Sequence, residues 1–160
     1  MLDTLQAAED LQGALVGQFY ARFGVHTGFE LEFEDFGLTA QEIESPDEEL
    51  LNASFVQSYP PARFTANPRV IAKSAVLAAC LGVVVSTVEV AADASLTLGF
   101  ENGVRITLPT STPVIDWHWA ITEGREDPYS GCLIACFAPG EIQGSIANNS
   151  SKPTPLRGAA

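Results

Sequence analysis

Residues 27–35, TGFELEFED, alternate strictly between apolar and acidic side chains. An extended chain places alternate residues on opposite faces, which is typical of a strand with one buried face. The two sets are Phe29, Leu31 and Phe33 on one face, and Glu30, Glu32 and Glu34 on the other. This stretch predicts a half-buried strand of an antiparallel sheet.

Residues 96–108, LTLGFENGVRITL, contain the strongest turn signal in the chain. A two-residue Asn-Gly loop would put the apolar residues of its two strands on opposite faces. A three-residue loop of residues 101–103, with Gly103 in the left-handed conformation, pairs Phe100 with Val104 and Leu98 with Ile106. The sequence therefore predicts the three-residue loop, because only that register gives the hairpin one apolar face.

The other segments predict further strands and two helices. Residues 13–23 are strand-like, and the last third suggests three strands, IDWHWAI (115–121), CLIACF (132–137) and IQGSI (142–146). One helix is expected after Ser45 as cap and Pro46 as first residue. A second is expected from Asn67 as cap and Pro68 as first residue to a stop at Gly82.

These elements predict an α+β fold, mainly antiparallel β, in which a curved sheet or partly closed barrel carries one or two packed helices. At 160 residues the chain is long enough to bury roughly 70% of its unfolded surface as a single domain. We expect that domain to span residues 1–146, with a tail at 147–160. The resemblance of residues 11–44 to 80–108 suggests two β-meanders related by internal duplication.

The charge of the chain is concentrated in its first third. The formal net charge is −12, and residues 1–49 hold twelve acidic side chains and one basic residue, Arg22. Such a surface repels nucleic acid and anionic lipid, and favours basic protein partners. The N-terminus lacks the features of a secretory signal, and the longest apolar run, residues 75–85, is too short to cross a bilayer. We therefore expect a cytoplasmic protein without a nucleic-acid or membrane partner.

Nine carboxylates and no Lys or Arg lie between residues 30 and 49. They are Glu30, Glu32, Glu34, Asp35, Glu42, Glu44, Asp47, Glu48 and Glu49. One interpretation is solubility, since exposed acids also prevent sheet edges from pairing. The other is docking of a cationic partner. Their spacing does not match a calcium loop, and no glycine-rich nucleotide motif is present, so no metal or cofactor is expected.

Residues 116–119, DWHW, supply the other candidate site residues. Strand alternation predicts Asp116 and His118 on an exposed polar face, and Trp117 and Trp119 together on the opposite face. Asp116 and His118 could form the base half of a catalytic triad, but no nucleophile motif accompanies them, and we do not expect an enzyme. The two tryptophans are interpreted either as core residues or as partner-binding anchors.

The second half of the chain, residues 77–146, resembles a family of small β-rich bacterial domains found among immunity proteins of polymorphic toxin systems. The similarity lies in LGVVVSTVEV, LTLGFENGVRITL, DWHWAI and CFAPGEI. The resemblance implies a non-enzymatic protein that binds and neutralises a cognate toxin, whose basic active-site region would meet the acidic surface. The alternative hypothesis is a β-barrel-like carrier of small molecules, with an apolar pocket reached past Trp117 or Trp119.

Overall fold

The computed structural model describes residues 1–124 and 126–146. Its helices are α1 (Thr4–Leu15), α2 (Glu48–Ser58), α3 (Pro68–Ala79) and the one-turn α4 (Pro128–Gly131). Its strands are β1 (Tyr20–Val25), β2 (Phe29–Phe33), β3 (Phe36–Ala40), β4 (Val85–Val90), β5 (Leu96–Phe100), β6 (Arg105–Leu108), β7 (Trp119–Glu123), β8 (Cys132–Ala138) and β9 (Glu141–Gly144). A single 3₁₀ turn, Pro61–Arg63, completes the elements of the described residues.

The strands form two antiparallel sheets. One has six strands in the order β1-β2-β3-β7-β8-β9, and the other is the three-stranded meander β4-β5-β6. The sheets meet where β1 begins, because Tyr20 N donates to Val83 O at 3.1 Å and Val85 N donates to Gln18 O at 3.0 Å. The α+β class with mainly antiparallel strands is confirmed, and within residues 1–124 and 126–146 the two sheets do not close into a barrel.

The two predicted strand features are confirmed. In β2 the apolar residues are buried and Glu30 and Glu32 lie on the other face. In the β5–β6 hairpin Leu98 pairs with Ile106, Phe100 N donates to Val104 O at 3.0 Å, and Gly103 has a φ of +85°. A φ in this range suits glycine, which has no side chain to clash with the backbone.

The observed helix boundaries agree less closely with the sequence predictions. The Asn67 side chain accepts from Arg69 N at 2.9 Å and Pro68 opens α3, as predicted. Helix α2 begins at Glu48 rather than at Pro46, and Ser45 caps only the turn before it. The strand predicted at 13–23 is wrong at its start, because Gly13 belongs to α1.

The buried residues of helix α1 recur with helical periodicity. Its buried residues, Ala7, Leu11, Ala14 and Leu15, recur at the spacing of one helix face. One hydrophobic cluster runs from this face through both sheets to Ile142 in β9. Within the described residues, no helix is long and apolar enough to cross a bilayer.

Pairing between β3 and β7 joins the two halves of the chain. Phe36 lies opposite Glu123 and Ala40 lies opposite Trp119. Residues 11–44 and 80–108 each end in a three-stranded antiparallel meander, β1-β2-β3 and β4-β5-β6. Their relation by duplication stays a prediction, and the predicted tail at 147–160 lies outside the described residues.

Candidate functional site

The outer face of the six-stranded sheet, opposite the core, carries a cleft of about 300 Å³. We call it the outer-face cleft. Its side walls are Glu30 and Glu32 of β2 and, across the sheet, Glu126 and Asp127 of the segment after β7. Its floor includes Gly37, Thr39 and Thr122.

Glycine at position 37 shapes this cleft. Gly37 lies opposite Thr122 in the β3–β7 pair. A Cβ at Gly37 would stand 2.8 Å from the carbonyl oxygen of Gly124 and 2.9 Å from Thr122 Oγ1. A side chain would therefore push the segment after β7 away. That segment is also tied to the β2–β3 turn, because Gly124 N donates to Asp35 O at 2.7 Å.

The walls of the cleft are strongly acidic. Glu32 forms an ion pair with Arg22 at 2.7 Å, and Glu30 lies 3.8 Å from His26 Nε2. Asp127 Oδ1 accepts from Tyr129 N at 2.9 Å, which leaves Oδ2 able to accept from another donor. No Lys or Arg lines the cleft among the described residues. Arg125, next to Glu126 in the chain, lies outside them.

The floor of the cleft is polar. Thr39 Oγ1 donates to Ala120 O at 3.3 Å. Thr122, also on the floor, is only 3% exposed.

Aromatic side chains lie beside the cleft. Trp117 lines a small pocket of about 80 Å³ that shares Glu30 and Thr39 with the cleft. Its indole is 9% exposed and its Nε1 has no hydrogen-bond partner in the described part of the chain. The ring of Tyr129 packs on it with centroids 6.1 Å apart, and the Tyr129 hydroxyl donates to Asp116 at 2.8 Å.

Trp117 and Trp119 do not share a face, so that prediction is wrong. Trp119 is fully buried in the main core and its Nε1 donates to Ala94 O at 2.9 Å. Trp117 instead packs with Ala120 and Ala135 on the outer side. Strand β7 begins only at Trp119, so strict alternation does not extend back through residues 115–118.

His118 is also placed differently from the prediction. It is 4% exposed rather than on an exposed strand face, and burial lowers the pKa of its imidazole. The Asp116 carboxylate is exposed and accepts from Tyr129 instead of orienting the imidazole. The two side chains therefore do not form the base-and-orienter pair of a triad in this structure.

The nine carboxylates of 30–49 do not form one outward field. Glu34 accepts from Phe19 N at 3.4 Å, and the Asp35 carboxylate accepts from Gln18 at 3.1 Å. Glu44, exposed, forms a β-bridge with Thr107, and Asp47 is exposed at the start of α2.

The remaining carboxylates are paired with helix α3. Lys73 lies 3.0 Å from both Glu42 and Glu48, and Arg69 lies 3.0 Å from Glu49. Glu48 is 8% exposed, so it does not belong to an outer surface. Of the predicted partner-binding residues, Glu30 and Glu32 line the cleft and Trp117 lines the small pocket beside it.

The sequence interpretation missed the second wall. Glu126 and Asp127 belong to a polar connection, TEGREDPYSG, in which the one local signal is Asp127 before Pro128 as a helix cap. Nothing local places this connection beside β2, because the β3–β7 pairing that brings it there is long-range. Among the described residues, no group of three or more His, Cys, Asp or Glu side chains could hold a metal ion.

Comparison of the chain with protein-family models, with curated proteins and with solved structures gave no match. The site must therefore be interpreted from its own chemistry. That chemistry is an acidic cleft with aromatic side chains at one end.

Proposed function

We propose that this chain is a non-enzymatic binding protein that docks on a basic protein surface through the outer-face cleft. The observation that supports it is the gathering of Glu30, Glu126 and Asp127 with Trp117 and Tyr129 on one side of the sheet. These residues come from both halves of the chain.

The two kinds of side chain contribute differently to such an interface. Carboxylates at the rim raise the rate of association with a cationic partner and reject anionic ones. Buried aromatic side chains supply most of the binding free energy in protein interfaces. Tyr129 is 72% exposed and would lose that exposure on docking. Trp117 beneath it would support the ring.

The partner we propose is a cognate bacterial toxin, neutralised in the cytoplasm by a cover over its basic active-site region. This part of the proposal depends on the family resemblance of residues 77–146 and on the net charge of −12. The carrier alternative receives less support, because the pocket beside Trp117 holds about 80 Å³ while small-molecule sites hold about 300–1,000 Å³.

The test is co-purification of the chain with the product of the neighbouring reading frame, followed by titration at several salt concentrations. The double variant Glu30→Lys with Glu126→Lys reverses one charge on each wall. We expect it to weaken binding at least tenfold and to reduce the salt dependence, because two attractive charges become repulsive. Glu32 is left unchanged, since its pair with Arg22 would be disrupted.

The matched control is Glu44→Lys with Glu101→Lys. Both residues are exposed, neither lines the cleft, and the change in net charge is the same. Binding that weakens equally in the two double variants would assign the effect to net charge and remove the cleft from the interface. If the neighbouring product does not bind the unmodified chain, the proposed toxin is wrong.

A further inference from the structure

The small pocket beside the outer-face cleft is lined by a residue with an unsatisfied hydrogen-bond donor. Trp117 is 9% exposed, and its indole Nε1 has no hydrogen-bond partner within residues 1–124 and 126–146. We call this space the Trp117 pocket. Buried polar groups usually have a partner, and an indole N–H can only donate. A group that completes the pocket must therefore offer an acceptor, such as a carbonyl oxygen.

Two hydrogen-bond acceptors line the same pocket. The carboxylate of Glu30 lies 3.8 Å from His26 Nε2, which is too long for a hydrogen bond, and the Glu30 side chain is 47% exposed. Thr39 Oγ1 donates its proton to Ala120 O at 3.3 Å, so the same oxygen can accept from another group. The pocket therefore combines one donor, on Trp117, with two acceptors.

We propose that the Trp117 pocket binds a terminal carboxamide. Its source, which rests on the proposed function, is an asparagine or glutamine side chain of the docking partner. A carboxamide has a carbonyl oxygen, which accepts from Trp117 Nε1, and an amino group with two N–H donors, which pair with Glu30 and Thr39 Oγ1. A carboxylate has no donor for Glu30, and a guanidinium has no acceptor for Trp117. A carboxamide therefore satisfies the pocket where either charged group fails.

The size of the Trp117 pocket fits the end of a side chain rather than a whole ligand. Its volume is about 80 Å³, and one water molecule takes up about 30 Å³ in the liquid. This space suits a planar carboxamide. Nε1 is itself buried, so the indole or the Tyr129 ring packed on it must shift slightly as the group enters. Tyr129 is 72% exposed, which leaves its ring room to move.

The test follows the indole N–H directly and does not require the partner. The full chain, labelled with ¹⁵N, is titrated with acetamide at constant ionic strength, and the amide and indole resonances are recorded. The Trp117 indole resonance should move downfield as Nε1 gains an acceptor. The Trp119 indole is an internal control, because its Nε1 already donates to Ala94 O at 2.9 Å and should not respond. The dissociation constant should be on the order of 10–100 mM, since so small a ligand gains little binding free energy.

Three further probes define the chemistry of the group. Acetone keeps the carbonyl of acetamide and lacks its N–H donors, acetate has acceptors only, and guanidinium, kept below denaturing concentrations, has donors only. Each should bind at least about fivefold more weakly than acetamide, because each leaves a donor or an acceptor of the pocket without a partner.

Two variants localise the binding. Trp117→Phe keeps an aromatic ring and removes the N–H, and Thr39→Val keeps the shape of the side chain and removes the hydroxyl. Each should weaken acetamide binding about threefold to tenfold, measured from the amide resonances of Gly28 and Ala40, which line the pocket. The control Thr112→Val is exposed, lies outside the pocket and should leave the affinity unchanged. The spectrum of each variant shows directly whether it remains folded.

Equal binding of acetone and acetamide, an unmoved Trp117 indole resonance, or unchanged affinity in both variants would each overturn this inference. In the complex with the partner the same resonance should move in the same direction, and an unmoved resonance would show that the partner does not supply the group. Partner binding that is lost on wall reversal, together with no acetamide binding, would refute only the carboxamide inference. Acetamide binding at the pocket without any basic protein partner would refute only the proposed function.

Discussion

Replacing Tyr20 with phenylalanine should stabilise the protein. Tyr20 is fully buried, and its hydroxyl has no hydrogen-bond partner within the described residues. Its ring packs against Phe33 and Phe100 with centroids 5.6 and 5.7 Å away, contacts that phenylalanine keeps. A buried hydroxyl without a partner costs about 1–3 kcal/mol. Removing it should raise the free energy of unfolding by about 1 kcal/mol, and the melting temperature by about 2–4 °C.

The measurement is urea unfolding followed by circular dichroism, and the control is Tyr129→Phe. Tyr129 is exposed, and the substitution removes only its hydrogen bond to Asp116. The free energy of unfolding of the Tyr129→Phe protein should therefore change by less than about 0.5 kcal/mol. A Tyr20→Phe protein that is less stable than the unmodified one would refute the reasoning. That result would mean the hydroxyl is satisfied in solution, for example by a buried water.

Tyr20→Phe should also change how the stability of the protein depends on pH in the alkaline range. Burial raises the pKa of Tyr20 above its ordinary value of 10. Below pH 10 the phenol is neutral in both the folded and the unfolded state, so its titration does not change the stability there. As the pH rises above 10 the unfolded state loses the proton first, so stability falls. Tyr20→Phe should lose less stability in this range, although Cys80, with a pKa raised to about 12 by burial, still contributes to the fall.

Two further predictions concern the buried charges and the buried histidine. Lys73→Met should lower the free energy of unfolding by about 1–3 kcal/mol, because it removes the ammonium that pairs with Glu42 and the buried Glu48 and also donates to Ile43 O. Adding Glu48→Met should restore part of the loss in the same urea assay, and a Lys73→Met protein of unchanged stability would show that the pair contributes nothing. Burial lowers the pKa of His118 below its ordinary value of 6.5, so the unfolded state takes up a proton first and stability should fall as the pH drops through 6.5 towards the folded pKa. Thermal unfolding between pH 7.5 and 4.5 should show a smaller fall for His118→Gln, and an identical fall in both proteins would contradict this assignment.

Local signals in the sequence identified the elements that depend on neighbouring residues. The alternation in β2, the register of the β5–β6 hairpin and the Asn67 cap of α3 all depend on residues within a few positions. Helix α1 was missed although its buried residues have helical spacing, because residues 13–23 were interpreted as a single strand. The start of β7 was misplaced because the alternating pattern of DWHW extends back beyond Trp119, where the strand begins.

The candidate site was less predictable than the fold, for a physical reason. Glu30 and Glu32 could be assigned to an outer strand face from alternation alone. Their counterparts Glu126 and Asp127 reach the cleft only through the β3–β7 pairing, which leaves no local trace in the sequence. The acids of residues 42–49 were expected to be outward-facing, but Lys73 and Arg69 in α3 neutralise several of them.

The β3–β7 pairing also has a consequence for synthesis on the ribosome. The Thr39 hydroxyl and the Ala120 carbonyl that it contacts are 81 positions apart in the chain. Contacts of such large sequence separation close late, after local hairpins have formed. A nascent chain that has emerged only as far as α3 therefore has one wall of the cleft and no floor from β7. If the cleft docks a partner as proposed, that capacity is acquired only when the C-terminal strands have been made, and unfinished chains would not compete with finished ones.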